Sequence, residues 1–350
     1  MKFNRKFSIG GFGFFEASPV YIIAEAGVNH GGDMQIARQL VDVAAEAGAN
    51  AVKFQAFRTE NLILGNVEKA PYQKKTTDAA ESQFQMLKKL ELSKSHYAEL
   101  KEYCHKKNIT FLITPFDEGS LYELEETGVE AYKIASTDTT NLPFLKKIAQ
   151  TGKPLLLSTG MCYLDEIRVA LEEIYPWNKN VVLLQCTANY PIADEEANLR
   201  VIETFKKEFD MLVGYSDHSV GIGAAPYAVP MGVCAVEKHF TLDKNQPGPD
   251  HSASLDPQEL KDFVKQIRQI EKYMGSAVKE PVEAEKFTRN SLQKCLVAAR
   301  EIKTGDRFTE ESFVAKRTGG KGISPLLYKK LLSQNATRSY NINDIIDEKI

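Results

Sequence analysis

Cysteine is scarce in this sequence, and there is no long apolar run, no block of like charge and no low-complexity stretch. The five cysteines, at 104, 162, 186, 234 and 295, are odd in number, widely spaced and without a C-x-x-C pair. That pattern excludes a disulfide scaffold or a zinc knuckle and predicts free thiols in a reducing, cytoplasmic setting. The longest nearly uncharged stretch, 219–236, holds Pro226, Pro230 and three glycines, too short and too broken to cross a bilayer. Lys2, Arg5 and Lys6 ahead of Phe12-Gly13-Phe14-Phe15 imitate a secretion signal, but Gly10, Gly11, Gly13 and Glu16 interrupt the apolar part. Forty-four basic against 47 acidic residues leave a net charge of −3, interspersed along the chain, so no nucleic-acid or polybasic membrane surface is expected. A small-molecule partner is the default for such a chain.

What is present is a repeating alternation. Short apolar, β-branched runs at 20–24, 51–54, 109–113, 131–134, 154–157, 181–184, 211–213 and 235–236 are too apolar to have a solvated face. Amphipathic helical patterns follow them, among others at 34–47, 94–107 with Ser93 as N-cap, 119–127, 164–174, 197–205 and 257–273. Eight strands spaced by roughly 22–31 residues, with one insertion at 58–92, predict a (β/α)8 TIM barrel, a doubly wound sheet being the alternative. Gly10-Gly11-Phe12-Gly13 has no strand before it and no helix after it, so it reads as a turn closing the barrel bottom rather than a nucleotide fingerprint. The barrel is expected over 1–280, with a polar linker at 275–290 carrying Pro281, and a small second domain over 288–350 rich in turn signals. At about 60 residues that domain would gain stability from docking on a partner surface.

In such a barrel the chemistry sits at the carboxyl ends of the strands. The residues there are Glu25; Lys53 and Gln55; Thr114; Lys133 to Ser136; Ser158 and Thr159; Thr187 and Tyr190; Ser216, Asp217 and His218; and Glu237, Lys238 and His239. His218 and His239 end neighbouring strands and are either divalent-metal ligands or a hydrogen-bonded pair. A metal there would act as a Lewis acid on a carbonyl. Asp250 and His251, in the loop Pro247-Gly248-Pro249-Asp250-His251, add a further ligand, a supporting contact or a turn. Lys53, Lys133, Ser136, Ser158 and Ser216 form a set of cations and hydroxyls with few neighbouring carboxylates, suited to a phosphorylated, carboxylate-bearing ligand. Either lysine is also a candidate Schiff-base nucleophile. Lys238 alternates to the outside of its strand and is expected in a salt bridge.

These residues fall in motifs that resemble the sialic acid synthase family: Ala24-Glu25-Ala26-Gly27-Val28-Asn29-His30, Val52-Lys53-Phe54-Gln55, Thr114-Pro115-Phe116-Asp117, Lys133-Ile134-Ala135-Ser136, Ser158-Thr159-Gly160-Met161, Gly214-Tyr215-Ser216-Asp217-His218 and Glu237-Lys238-His239-Phe240. Lys316-Arg317 and Gly322-Ile323-Ser324-Pro325 resemble the family's C-terminal antifreeze-like (SAF) domain. The resemblance implies a nonulosonic acid synthase that condenses phosphoenolpyruvate with an N-acylated hexose and releases phosphate by C–O cleavage. It implies that Lys53, Thr114, Lys133, Ser136, Ser158 and Ser216 hold phosphoenolpyruvate, and that His218 and His239 hold manganese or magnesium. Glu25 would manage the water and its proton, and Gln55, Tyr190, Glu237 and Asp250 would line the acceptor side. Arg317 would reach the barrel of a second subunit in a domain-swapped homodimer. Thr187-Ala188-Asn189-Tyr190-Pro191 departs from members that carry Asn one position earlier, so Asn189 is expected to point elsewhere. Lys69-Ala70-Pro71-Tyr72-Gln73 followed by Glu81-Ser82-Gln83 is similar to members that make legionaminic acid from a 2,4-diacetamido sugar, and the loop 248–255 favours the sialate/legionaminate group over pseudaminate. Two rivals remain: a metal-free Schiff-base pyruvate aldolase or lyase on the same barrel, and a non-catalytic sugar- or ice-binding protein with the barrel as scaffold.

Overall fold

The computed structural model describes every residue except Ala17, Pro71, Tyr72, Lys75, Thr76, Ala79 and Ile350. The chain divides into two compact units, Met1–Gly275 and Ser276–Ile350. In the first, eight parallel strands close into a barrel: β3 (Tyr21–Gly27), β4 (Ala51–Ala56), β5 (Thr110–Pro115), β6 (Tyr132–Ile134), β7 (Leu155–Ser158), β8 (Val181–Gln185), β9 (Leu212–Asp217) and β10 (Ala235–His239), with β10 pairing back onto β3. Ahead of them β1 (Phe7–Ile9) and β2 (Phe12–Phe14) form an antiparallel hairpin through Gly10 and Gly11. The TIM-barrel expectation holds, and the doubly wound sheet is set aside.

Local chemistry explains where the helices start. Asp33 accepts from the backbone N–H of Gln35 and Ile36 at the head of Met34–Ala47. Ser93 with His96, and Asp256 with Glu259, form reciprocal caps for Lys94–Lys106 and Pro257–Met274. The apolar stripes of these helices pack on the outward residues of the strands, among them Ile22, Ala24, Val52, Phe54, Ile113, Ile134, Leu157 and Val236.

The inward residues follow the two-residue period of a strand and are sorted by height. Tyr21, Ile23, Ala51, Leu112, Ala131, Leu156, Val182, Leu184, Leu212 and Ala235 fill the lower barrel, closed from below by Ile9 and Phe14 of the hairpin. Gly214 belongs to this interior: a Cβ there would lie 2.3 Å from Leu184 Cδ2 and 2.8 Å from the Ala235 carbonyl, so only glycine lets the strands approach. One step higher, the same inward parity delivers Glu25, Lys53, Thr114, Lys133, Ser158, Ser216 and Glu237. The packed floor thus ends where the polar rim begins.

The second unit pairs β11 (Lys294–Ala298) antiparallel with β12 (Phe313–Arg317) over a small core that includes Leu296, Ile302, Phe308, Leu331 and Tyr340. The stretch read as a polar linker, 275–290, runs into a helix, Glu283–Leu292, with no buried residue. The sequence there has Glu283 and Glu285 in the first turn and an amphipathic pattern, which the linker reading overlooked.

Candidate active site

A cavity of about 540 Å³ opens at the carboxyl end of the barrel strands. Its lining includes thirteen of the candidate site residues: Glu25, Lys53, Gln55, Thr114, Lys133, Ser136, Ser158, Tyr190, Ser216, His218, Glu237, His239 and Asp250. The fourteenth, Arg317, lies exposed on β12 of the second unit, in register with Lys294.

The floor is a charge cluster built by strand register. Glu25 stands beside Lys53, and Glu237 beside Ser216. Lys53 Nζ lies 3.3 Å from Glu25 and 3.0 Å from Glu237. Lys133 Nζ donates to Ser158 Oγ at 2.6 Å and lies 3.6 Å from Glu237, while Ser216 Oγ donates to Glu237 at 2.8 Å. This corrects the expectation of few neighbouring carboxylates. Two buried carboxylates interleave with the lysines, and Glu237, expected on the acceptor side, sits beside Lys53, Lys133 and Ser216, which were expected to hold the anion. Its parity from Ala235 is that of Lys53, which is the physical reason.

Burial drives each of these groups toward its neutral form, and the neighbours decide which stays charged. Burial pushes Glu237 up, but Lys133 and Lys53 outweigh it and hold the carboxyl well below the usual range. Lys53 keeps its proton because Glu237 and Glu25 outweigh its desolvation. Lys133 is lowered, chiefly by burial. Glu25, for which burial dominates over Lys53, is pushed up to about 7, the value at which a carboxyl both gives and takes a proton at neutral pH. Gln55 Nε2 donates to Glu25 at 3.2 Å. Gly27, at φ +54°, marks where three side chains meet: a Cβ there would lie 3.3 Å from both Gln55 Nε2 and Glu25 Oε1 and 3.6 Å from His239 Cε1. Thr114 Oγ1 is buried without a hydrogen-bond partner, an open donor at the same level. Ser136 Oγ accepts from the Gly160 N–H at 2.9 Å.

The two imidazoles do converge, with ring centroids 5.7 Å apart and Tyr190 against both. His218 Nδ1 lies 2.7 Å from the Thr187 carbonyl, so this nitrogen carries the hydrogen and Nε2 keeps its lone pair. Burial lowers His218 to about 4 and His239 well below the ordinary value. Both rings are therefore neutral at pH 7, the state that ligates a metal, and His239 Nδ1 is buried with no hydrogen-bond partner. Among the described residues no group of three or more His, Cys, Asp or Glu side chains is arranged as a metal site. The residues fit an ion with two protein nitrogens and open positions. Asp250, raised to about 6 by burial, lines the same cavity.

Other sequence candidates are elsewhere. Thr159 donates to the Leu184 carbonyl and Thr187 to the Glu196 carbonyl, and neither lines the cavity. His251 is bonded to Thr241 Oγ1 at 2.7 Å and also stays outside it. Lys238 points out of the barrel and pairs with Asp217 at 3.1 Å, as alternation predicts. Asn189 is exposed, and Ala188 takes a place in the wall. Sequence reasoning missed Cys186, whose Sγ lies 3.2 Å from Ser136 Oγ, although its inward parity after Val182 and Leu184 signals it. It also assigned no role to Gln73 and Gln83, which line the cavity from the insertion; Pro71 and Tyr72 of that motif lie outside the described residues.

Comparison with known proteins converges on this geometry. The NeuB family matches residues 40–279. The N,N'-diacetyllegionaminic acid synthase of Campylobacter jejuni is 47% identical over 330 residues, 93% of this chain and 98% of that protein. The one from Legionella pneumophila is 44% identical over 310 residues, 87% of each chain. The crystal structure of an N-acetylneuraminic acid synthetase from Leptospira borgpetersenii, in complex with citrate, superposes with a TM-score of 0.74 at 37% identity, covering 83% of this chain and 98% of that one. On a barrel whose rim joins a cluster of lysines, hydroxyls and carboxylates to two neutral imidazoles, the chain belongs to the NeuB family of nonulosonic acid synthases.

Proposed function

We propose that this enzyme condenses phosphoenolpyruvate with 2,4-diacetamido-2,4,6-trideoxymannose and water to give a legionaminic acid and phosphate. The observation that carries it is one cavity holding Lys53, Lys133, Thr114 and Ser158 beside His218 and His239. The lysines and hydroxyls suit an anion with a phosphate and a carboxylate, each charge-assisted hydrogen bond contributing about 1.5–3 kcal/mol. The identity to the two diacetyllegionaminic acid synthases supports that acceptor over N-acetylmannosamine.

In the reaction, the methylene carbon of phosphoenolpyruvate forms a bond to the acceptor's aldehyde carbon, water adds to the former enol carbon, and phosphate departs with its bridging oxygen. Glu25 takes the proton of the incoming water, its carboxyl held between Lys53 and Gln55. Lys53 and Lys133 hold the substrate anion, and Ser158 fixes the Lys133 ammonium. Tyr190 packs on both imidazoles and walls the acceptor side. His218 and His239 would hold a divalent ion, manganese or magnesium, which when bound polarises the acceptor aldehyde.

The small second unit and its exposed Arg317 support a homodimer in which that arginine contacts an acceptor in the partner's barrel, and the free cysteines support a cytoplasmic location. No helix among the described residues is long and apolar enough to cross a membrane. The test is phosphate release from phosphoenolpyruvate with N-acetylmannosamine, the 2,4-diacetamido sugar and its altrose analogue, with and without a chelator. Release with the diacetamido sugar, abolished by chelation and lowered roughly a hundredfold or more in His218→Ala and His239→Ala, is expected. Full turnover in metal-free buffer removes the metal from the reading.

A further inference from the structure

The cavity has two kinds of wall. Its floor comes from strand residues and holds its charged groups, whereas the insertion between β4 and the helix Lys94–Lys106 contributes Ile63, Ala70, Met86 and Leu87 with two amides, Gln73 and Gln83. The insertion's described residues are tied together by their own polar bonds. Ser82 and Gln85 cap the helix Gln83–Lys88 reciprocally, and the buried Lys69 donates to Thr77 Oγ1, the Asp78 carbonyl and Glu81. Gln73 Oε1 accepts from the Ala70 N–H and from Gln83 Nε2, each at 3.0 Å. Gln83 makes no other hydrogen bond among the described residues, so its second N–H and its carbonyl oxygen are open to a ligand.

The insertion is rich in lysine, yet it offers the cavity no cation among the described residues. Lys69 and Lys89 are paired with Glu81, Lys74 with Glu68, and Lys88 with Glu60 and Glu91. The cationic side chains that line the cavity are the two floor lysines.

We propose that this wall is the subsite for the non-reacting end of the acceptor, with Gln83, fixed by Gln73, hydrogen-bonding an acylamido group while Ala70, Met86 and Leu87 receive methyl groups. The assignment rests on the condensation proposed above. There the strand residues hold phosphoenolpyruvate, so the aldehyde faces the floor and the rest of the sugar extends past the insertion. An amide pair satisfies an acylamido group on both its N–H and its carbonyl. An apolar wall rejects an added hydroxyl only modestly, by about a hundredfold, whereas a phosphate buried against this wall, whose lysines among the described residues are all paired, is rejected far more strongly. The subsite thus ranks an acylated, 6-deoxy acceptor above a hydroxymethyl one, and a 6-phosphorylated one last.

The experiment measures kcat/KM by phosphate release with saturating phosphoenolpyruvate and three acceptors: 2,4-diacetamido-2,4,6-trideoxymannose, N-acetylmannosamine and N-acetylmannosamine 6-phosphate. The wild type is expected to rank them in that order. Gln83→Leu should lower the ratio of the first to the second about tenfold. Leu87→Lys, at a half-buried position, should raise the ratio of the third to the first by tenfold or more. Equal use of the 6-phosphate by the wild type, or both ratios unmoved in the variants while turnover persists, overturns the subsite and leaves the condensation standing. Release with none of the three sugars overturns the condensation and the subsite together.

Discussion

His30 is a proton acceptor that the folded chain refuses to use, and the cost of that refusal is measurable. Its ring is fully buried beside Phe54, and its Nδ1 accepts from the Gly32 N–H at 2.9 Å, so protonating that nitrogen would set two donors against each other. Burial lowers it to about 4, while the unfolded chain titrates near 6.5. The unfolded state therefore binds a proton that the native state does not between those values, and stability is lost as pH falls from about 6.5 to about 4. From those two values the loss at pH 5 relative to pH 7.5 is about 2 kcal/mol for this residue alone. His30→Asn keeps an acceptor, Oδ1, where Nδ1 stood and removes the titration. The lost ring packing lowers stability at both pH values and cancels in the difference. Urea unfolding of the barrel, followed by circular dichroism at pH 7.5 and 5.0, should show the variant losing about 2 kcal/mol less than the wild type on acidification. An identical loss in both proteins would refute the burial argument.

Three further outcomes bear on the chemistry. Lys133→Met should raise the apparent KM for phosphoenolpyruvate about ten- to a hundredfold, measured by initial rates; because burial lowers Lys133, borohydride trapping of a pyruvate adduct on it would transfer the site to Schiff-base chemistry. The Glu25 carboxyl, pushed up to about 7, is protonated below that pH, so kcat with both substrates saturating should rise through about pH 7 to a plateau, and Glu25→Gln should be slow and flat; an unchanged profile in the variant sinks the assignment. Mixing His218→Ala with Arg317→Ala chains should restore turnover after subunit exchange, since one heterodimer site then carries both defects and the other neither; no recovery means that the arginine does not act in trans.

The barrel was legible because its strands are apolar on both faces, which is what burial between a core and a ring of helices demands. Strand ends were less so. Expected strands stop short: β3 runs past residue 24 through Glu25 to Gly27, β4 past 54 through Gln55 to Ala56, and β9 past 213 through Ser216 to Asp217. Glu25, Lys53, Gln55 and Ser216 are thus part of the ladder, held by backbone hydrogen bonds rather than by loops. The insertion was illegible for the opposite reason: its order comes from capping and from the Lys69 ammonium among oxygen atoms, which leaves no apolar periodicity to read.

The same parity accounts for where Glu237 stands and for what it does there. Counting by twos from Ala235, a packed floor residue, leads to Glu237 and then His239, so the carboxylate must lie one layer below the imidazole. At that height its neighbours are Lys53, Lys133 and Ser216, not an acceptor at the mouth. A buried carboxylate there is tolerable only beside a charged lysine, and Lys53 stays charged because Glu237 and Glu25 outweigh its desolvation. On the proposed condensation, Glu237 keeps Lys53 charged and in place before the anionic substrate arrives, so the incoming anion meets a cation that is already desolvated and fixed. That role gives a glutamate a place in the middle of the proposed anion site.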